Sequence, residues 1–162
     1  MDASDAPQRA LLRHTLATVA YRGAKVLRGA PPEFGAMRLG PGTRTPLEIL
    51  AHIADLFAWG THLAAGHHVW KEGSPGSWEA EVERCFRELG RFDAALASNA
   101  PLGCAAERLF QGPIADALTH FGQLALLRRR AGAPVRGENY FKADIRIGVT
   151  GPEQPEARVE FD

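Results

Sequence analysis

Apolar residues recur at helical spacing in four segments of the chain, and glycine or proline residues separate these segments. They cover residues 7–27, 45–65, 78–97 and 112–132. Within each segment the apolar side chains fall at i, i+3, i+4 and i+7, which places them on one face of an α-helix. We therefore predict four helices that bury these faces against one another, which is an all-α four-helix bundle.

Two of the predicted helices have well-marked first turns. Thr45, Pro46 and Glu48 form the pattern of a capping box with a proline at the first helical position. Glu48 therefore has a structural role, which argues against it as a metal ligand. Ser77 is a similar cap before the third helix, whose alternating glutamates and arginines predict a solvated face.

The fourth helix has a proline at its predicted start and three arginines near its end. Pro113 suits a first helical turn, because its missing N–H group is not needed there. One short turn is expected before it, at residues 105–110. Arg128, Arg129 and Arg130 lie in the last turns, where cations interact favourably with the negative end of the helix dipole. The predicted helix runs for about 18 residues, or roughly 27 Å.

Residues 133–162 follow a different pattern. Apolar and polar side chains alternate from Phe141 to Val149, as in an extended strand, and residues 157–161 could pair back after the turn TGPEQPE. An isolated hairpin is marginally stable in water. We therefore expect an extended C-terminal arm that packs on the bundle of residues 7–132 or on another subunit, with all 162 residues forming a single domain.

The composition is that of an ordinary globular protein, with 45% hydrophobic residues, 23% charged residues and a formal net charge of zero. A neutral chain argues against nucleic acid or an anionic membrane as the main partner, since both favour a basic surface. No apolar run approaches the roughly 20 residues that span a bilayer. The first residues, MDASDAPQR, lack the features of a secretory signal, so a cytoplasmic protein is expected. Cys85 and Cys104 stand apart, which argues against a disulfide framework or a cysteine zinc site.

The second and fourth helices each carry a histidine on a mostly apolar stripe. His52 lies six residues after Pro46, and His120 lies seven residues after Pro113. Both rings are therefore about 10 Å from the start of their helices. A parallel pair of helices would bring the rings level, whereas an antiparallel and flush pair would separate them by roughly 10 Å. Asp116 lies one turn before His120, at a spacing from which both side chains can reach one ion.

The residues alone leave two interpretations open. In the first, His52, Asp116 and His120 bind a divalent metal, and two imidazoles with one carboxylate suit Zn, Ni or Fe(II) better than Mg or Ca. Gln123 or Asp55 would then orient a ligand. In the second, the same group is a hydrogen-bonded polar pocket without a metal. The side chains expected to line the site are Leu56, Trp59, Leu124 and Leu127 on the helices, and Asn139 and Tyr140 on the arm.

Two stretches around these histidines resemble the DinB/YfiT-like superfamily of four-helix-bundle metalloenzymes. They are LEILAHIADLFAW around His52 and DALTHFGQLALLRR around His120, and the resemblance covers most of residues 7–132. The family pattern is one histidine on the second helix and an HxxxH pair on the fourth, which together hold a divalent metal. His52 and His120 match this pattern, whereas Asp116 stands where the other histidine is expected.

The resemblance implies a DinB/YfiT-like bundle, a divalent metal held by His52, Asp116 and His120, and a small-molecule substrate. Family members include thiol-dependent S-transferases that use low-molecular-weight thiols, and hydrolases. Dimers are common in the family, so a homodimer is expected. Because Asp116 departs from the pattern, two functions remain: a metal-dependent transferase or hydrolase, and a metal-free small-molecule-binding or stress-response module on the same bundle.

Overall fold

The computed structural model describes residues 5–161, which are mainly helical. The helices are α1 (Asp5–Leu27), α2 (Pro46–Ala64), α3 (Trp78–Ala97), α4 (Ala106–Leu109) and α5 (Ala115–Arg130), and the strands are β1 (Gly137–Glu138) and β2 (Glu160–Phe161). A π-helical turn joins α4 to α5, so that they form one long helix. The predicted all-α character is therefore confirmed, with four long helices and a minor two-stranded sheet.

The caps predicted for α2 and α3 are both present. The Thr45 hydroxyl accepts a hydrogen bond from the Glu48 N–H, and the Glu48 carboxylate accepts one from the Thr45 N–H at 2.6 Å. The Ser77 hydroxyl accepts a hydrogen bond from the Ala80 N–H at 3.2 Å. These bonds satisfy backbone donors that have no partner within the helix, which explains why both starts can be predicted locally.

The four long helices contact one another in a closed ring, in the order α1, α3, α2 and α5. Arg9 donates a hydrogen bond to the Leu96 carbonyl, and Arg13 pairs with Asp93 at 2.9 Å. A later residue of α1 thus contacts an earlier residue of α3, so α1 and α3 are antiparallel. Residues 65–77 connect α2 to α3 within the same ring.

Helices α2 and α3 are parallel. Arg84 donates a hydrogen bond to the Ala51 carbonyl, and Gly60 lies directly against the Phe92 ring further along both helices. A Cβ atom at Gly60 would stand 2.5 Å from that ring, so the close approach requires glycine. Because the two helices are parallel, residues 65–77, here called the crossover segment, must return along the length of α2.

The long helix of α4 and α5 is antiparallel to α2. Gly112 lies beside Trp59, whereas Asp116 and His120 lie beside His52. The two histidine rings are therefore level in an antiparallel pair, and not in the parallel pair that the sequence spacing suggested. They are level because the helix does not begin at the predicted position.

The predicted start of the fourth helix is wrong. The helix begins at Ala106, about two turns earlier than Pro113, and the short turn expected at residues 105–110 is its first part. Pro113 lies inside the π-helical turn Phe110–Ile114. A proline in a helix removes one backbone hydrogen bond, and a local π-helical turn lets the helix continue through it.

The hydrophobic core lies between the four long helices. Its largest fully buried side chains are Leu16, Val19, Phe34, Leu50, Ile53, Phe57, Leu89, Phe92, Leu96, Leu109, Ile114 and Leu124. Among the helices of residues 5–161, none is both long enough and apolar enough to cross a membrane.

Helix α3 has the predicted solvated charged face, formed by the exposed residues Glu79, Glu83, Arg87 and Arg91, but other acidic residues of the helix lie outside this face. Three of its acidic residues are buried, namely Glu81, Glu88 and Asp93. Glu81 pairs with Arg84 at 2.7 Å, and Glu88 pairs with Arg91 at 2.9 Å. The buried acidic residues are therefore stabilised by ion pairs with arginines, while the outer charged residues of the helix face solvent.

Arg128 has a role beyond the helix dipole. Only 6% of the residue is exposed. Its guanidinium donates to the carbonyl groups of Val26 at 2.7 Å, Arg28 at 2.9 Å and Gly29 at 3.0 Å. It therefore satisfies carbonyl groups at the end of α1 that have no partner in the helix, and it ties α5 to α1.

The C-terminal arm pairs differently from the prediction. Strand β1 pairs antiparallel with β2, with Gly137 opposite Phe161. The alternating residues from Phe141 to Val149 form no strand, and a 3₁₀ turn occupies Tyr140–Lys142. The expectation that residues 157–161 pair back is correct for the last two of them, but their partner lies before the alternating stretch.

The arm docks on α1 through a partly buried polar cluster. The Tyr21 hydroxyl donates to Glu138 at 2.6 Å. Lys25 bridges Glu138 at 2.7 Å and Glu160 at 2.6 Å, and so contacts both strands. Burial raises the pKa of Tyr21 above its ordinary value of 10.0, and the hydrogen bond to Glu138 raises it further.

The docking of the arm should appear in an alkaline titration of the Tyr140→Phe variant, in which Tyr21 is the only tyrosine. The neutral phenol of Tyr21 is favoured in the folded state. Its contribution to the free energy of unfolding is therefore fully present below pH 10.0, and it is lost as the pH rises through the raised pKa of the folded state. Tyrosinate absorbance should therefore reach its midpoint above pH 10.0 in the folded protein, and near that value in urea. A folded midpoint at or below the urea value would contradict the docking.

Candidate metal site

Three side chains that the sequence singled out come together between α2 and α5. One ligand atom each from His52, Asp116 and His120 lies within 4.8 Å of the others. Asp116 bridges the two histidines: its Oδ2 atom is 3.5 Å from His52 Nε2, and its Oδ1 atom is 3.4 Å from His120 Nε2. The two rings are nearly perpendicular, with centroids 4.8 Å apart. This group could hold a metal ion.

The distances from the two Asp116 oxygen atoms to the histidines are close to those around a small divalent cation, although the group as a whole spans up to 4.8 Å. Ligand atoms at about 2.0–2.1 Å from a tetrahedral ion stand roughly 3.3 Å from one another. The two distances from Asp116 to the histidines, 3.5 Å and 3.4 Å, are close to this value. The Asp116 side chain is 46% exposed, against 17% for His52 and 14% for His120. Solvent therefore reaches the group from the carboxylate side, where a fourth ligand can enter.

Gln123 orients His120, as the sequence suggested. The Nδ1 atom of His120 is 2.8 Å from the Gln123 Oε1 atom. When Nδ1 donates this hydrogen bond, the neutral ring carries its lone pair on Nε2. That atom faces Asp116 and His52, so the hydrogen bond selects the tautomer that a metal requires.

The surroundings of His52 favour its neutral form. Burial lowers the pKa of His52, electrostatic interactions with His120 and Arg44 lower it further, and Asp116 acts in the opposite direction. The Nδ1 atom of His52 is buried without a hydrogen-bond partner among the described residues. The neutral imidazole is the form that can donate a lone pair to a metal, so the environment of His52 is compatible with that role.

Asp55 has a different role from the predicted one. Its carboxylate accepts a hydrogen bond from the Gly73 N–H at 3.0 Å and pairs with Arg84 at 2.6 Å. Arg84 also pairs with Glu81 at 2.7 Å and donates to the Ala51 carbonyl at 2.9 Å. Asp55 therefore holds the crossover segment against α2 and α3, instead of orienting His52.

Two tryptophans line the site. Trp70, on the crossover segment, lies with its ring centroid 5.6 Å from His52 and 5.7 Å from Trp59. The two indole rings are perpendicular. Trp59 was predicted here, but Trp70 was missed, because its position depends on the path of the crossover segment. The only local signal was a tryptophan within an otherwise polar loop.

The other predicted lining residues lie elsewhere. Leu56, Leu124 and Leu127 are buried in the core, with exposed fractions of 3%, 0% and 7%. Tyr140 packs against α1, where its ring meets Tyr21. The arm was expected to close the site. The crossover segment closes it instead, through Trp70.

Comparison with known proteins provides no relative: no protein-family model, no curated protein and no solved structure matches the chain. The functional argument therefore depends on the geometry of the site and on the chemistry of its residues.

Replacement of Arg84 tests how the crossover segment is held over the site. Arg84→Met leaves the buried carboxylates of Asp55 and Glu81 without their cation, so unfolding free energy should fall by about 3 kcal/mol. Urea denaturation measures this loss.

The matched control for this experiment is Arg87→Met on the same helix. The Arg87 side chain is 46% exposed and lies 3.3 Å from Glu88, and exposed ion pairs contribute about 1 kcal/mol or less. Equal losses in the two variants would show that Arg84 has no special role in holding the segment.

Proposed function

We propose that this protein is a divalent-metal-dependent enzyme of the DinB/YfiT-like class, a transferase or hydrolase that acts on a small molecule. The observation that carries the proposal is the meeting of His52, Asp116 and His120, with ligand atoms within 4.8 Å, across two helices that are far apart in the sequence. The sequence stretches that resemble that family surround His52 and His120.

The donor set suits Zn, Ni or Fe(II). Two imidazole nitrogens and one carboxylate oxygen leave an open position for a substrate or a water, as catalytic zinc sites do. A divalent ion in this position would act as a Lewis acid on the molecule that takes the open position.

The residues of the chain have separate roles in this proposal. His52 and His120 donate neutral nitrogen ligands, and Gln123 holds the His120 ring in the required tautomer. Asp116 neutralises part of the charge of the ion. Trp59 and Trp70 form an apolar wall beside His52, which excludes water from one side of the site and limits the shape of the substrate. A thiol cosubstrate is one possibility within this class.

Elemental analysis of tag-free protein tests the metal directly. We expect about one equivalent of Zn, Ni or Fe per chain in the parent, and a loss of that metal in His52→Ala and His120→Ala, because each variant removes one of three protein ligands. The control is His62→Ala, which removes an exposed histidine of the same helix and should leave the metal content unchanged.

Asp116→His accompanies this experiment, since it restores the histidine expected from the family resemblance. Metal in the parent and in this variant supports the proposal. Metal in Asp116→His alone, or in none of the folded forms, would contradict it for this chain. Circular dichroism of each variant establishes that it is folded.

A second candidate function is a metal-free small-molecule-binding module. The observation that favours it is the position of Asp116, whose two oxygen atoms lie 3.5 Å and 3.4 Å from the two histidines. A carboxylate in this position can hold both rings by electrostatic attraction or weak hydrogen bonds, without an ion between them.

Thermal denaturation distinguishes the two candidates. A ligand that binds only the folded state stabilises it, by about 2.7 kcal/mol at a concentration of one hundred times Kd. For a chain of this length we expect excess Zn²⁺ to raise the Tm of the metal-stripped parent by about 5–10 °C. His120→Ala should show no such rise. An unchanged Tm in the parent would favour the metal-free module.

A further inference from the structure

A small polar pocket adjoins the candidate metal site. Its volume is about 210 Å³, and it lies between the first turns of α2 and the crossover segment. His52 lines the pocket and also belongs to the candidate metal site, whereas Asp116 and His120 do not line the pocket, so the two sites meet at His52. The charged side chains of the pocket are Arg44, Glu48, Asp55 and Glu72.

Two of these charged groups already have partners. Glu48 accepts the Thr45 N–H in the capping box and lies 3.4 Å from Arg38. Asp55 is buried and pairs with Arg84 at 2.6 Å. Both carboxylates are therefore engaged in holding the structure, and neither is available to neutralise Arg44.

Arg44 has no hydrogen bond or ion pair within the described part of the chain, and it is exposed at the mouth of the pocket. Its charge is close enough to disfavour protonation of His52. Glu72 is exposed on the crossover side and is likewise unpaired among residues 5–161. A guanidinium binds carboxylates through two parallel hydrogen bonds, so Arg44 is suited to an anionic ligand.

We propose that the site binds a small anionic molecule, whose carboxylate is held by Arg44 while a second donor group faces His52, Asp116 and His120. This inference rests on the proposed metal function. With neutral histidines, a divalent cation and Asp116 together have one net positive charge. Arg44 adds a second positive charge and Glu72 subtracts one, while Arg38 offsets Glu48 and Arg84 offsets Asp55. The loaded site therefore keeps one net positive charge and attracts an anion.

A pair of thiols that differ in charge tests the role of Arg44. Mercaptoacetate and mercaptoethanol both offer a thiol, but only the first carries a carboxylate. Isothermal titration calorimetry with the Zn²⁺-loaded protein should show that the parent prefers mercaptoacetate. In Arg44→Gln this preference should fall by about tenfold, as expected for a charge-assisted hydrogen bond, while the affinity for mercaptoethanol stays the same. Comparison of the two proteins removes any preference that chelation of the ion alone produces.

The control variant is Arg87→Gln. Arg87 is an exposed arginine of α3 that pairs with Glu88 outside the pocket, and its loss should leave both affinities unchanged. An equal loss of preference in the two variants would mean that only the general positive field matters, and would overturn the assignment to Arg44. An unchanged preference in Arg44→Gln would overturn it as well.

Failure of the metal function can be distinguished from failure of this inference. If elemental analysis and zinc titration find no metal in the parent, the proposed metal function fails. The same two thiols are then titrated into the metal-free protein, where the guanidinium still favours the charged one. An Arg44-dependent preference there supports an anion site on a metal-free module. Its absence there overturns the inference.

Discussion

The candidate site depends on the passage of one long helix through a proline. Helices α4 and α5 are continuous across the π-helical turn Phe110–Ile114, which contains Pro113. This continuity lets the helix begin at Ala106 and extend antiparallel to α2 along its length. Had the helix begun at Pro113 and been flush with α2, His120 would lie roughly 10 Å from the level of His52. π-helical turns frequently occur at functional sites, and here the turn ends two residues before Asp116.

The parallel arrangement of α2 and α3 places a second element over the same site. Parallel neighbours need a connection that returns along the bundle, and the crossover segment does so beside α2. Arg84 holds it there through Asp55, which accepts the Gly73 N–H. The segment thereby brings Trp70 next to His52 and provides one wall of the polar pocket. A buried ion pair is costly unless its geometry is well satisfied, and Arg84 achieves this with three partners.

Features that depend on local sequence could be predicted, and features that depend on tertiary contacts could not. The caps at Thr45 and Ser77 are local, because a side chain bonds to the backbone three residues away. His52, Asp116 and His120 could be grouped because each lies on an apolar-flanked helical stripe. The direction of the helix pair, by contrast, depends on where α4 begins. The position of Trp70 depends on the crossover segment, whose path follows from the parallel packing of α2 and α3. Arg128 has the same limitation, since its partners are carbonyl groups about one hundred residues earlier in the chain.

The aspartate at position 116 changes the electrostatics of a site that the family resemblance would make entirely of histidines. Three neutral imidazoles leave a divalent ion with its full charge, whereas one carboxylate removes half of it. A carboxylate ligand therefore weakens the attraction of the ion for an anion and also makes the ion a weaker Lewis acid. Arg44 lies beside the site without a partner among the described residues and returns one positive charge. The charge that Asp116 removes from the ion would thus be present again at the pocket beside it. An ion and a guanidinium at two separate positions would select a ligand whose donor groups have a matching spacing. A single ion of higher charge would not select for this spacing.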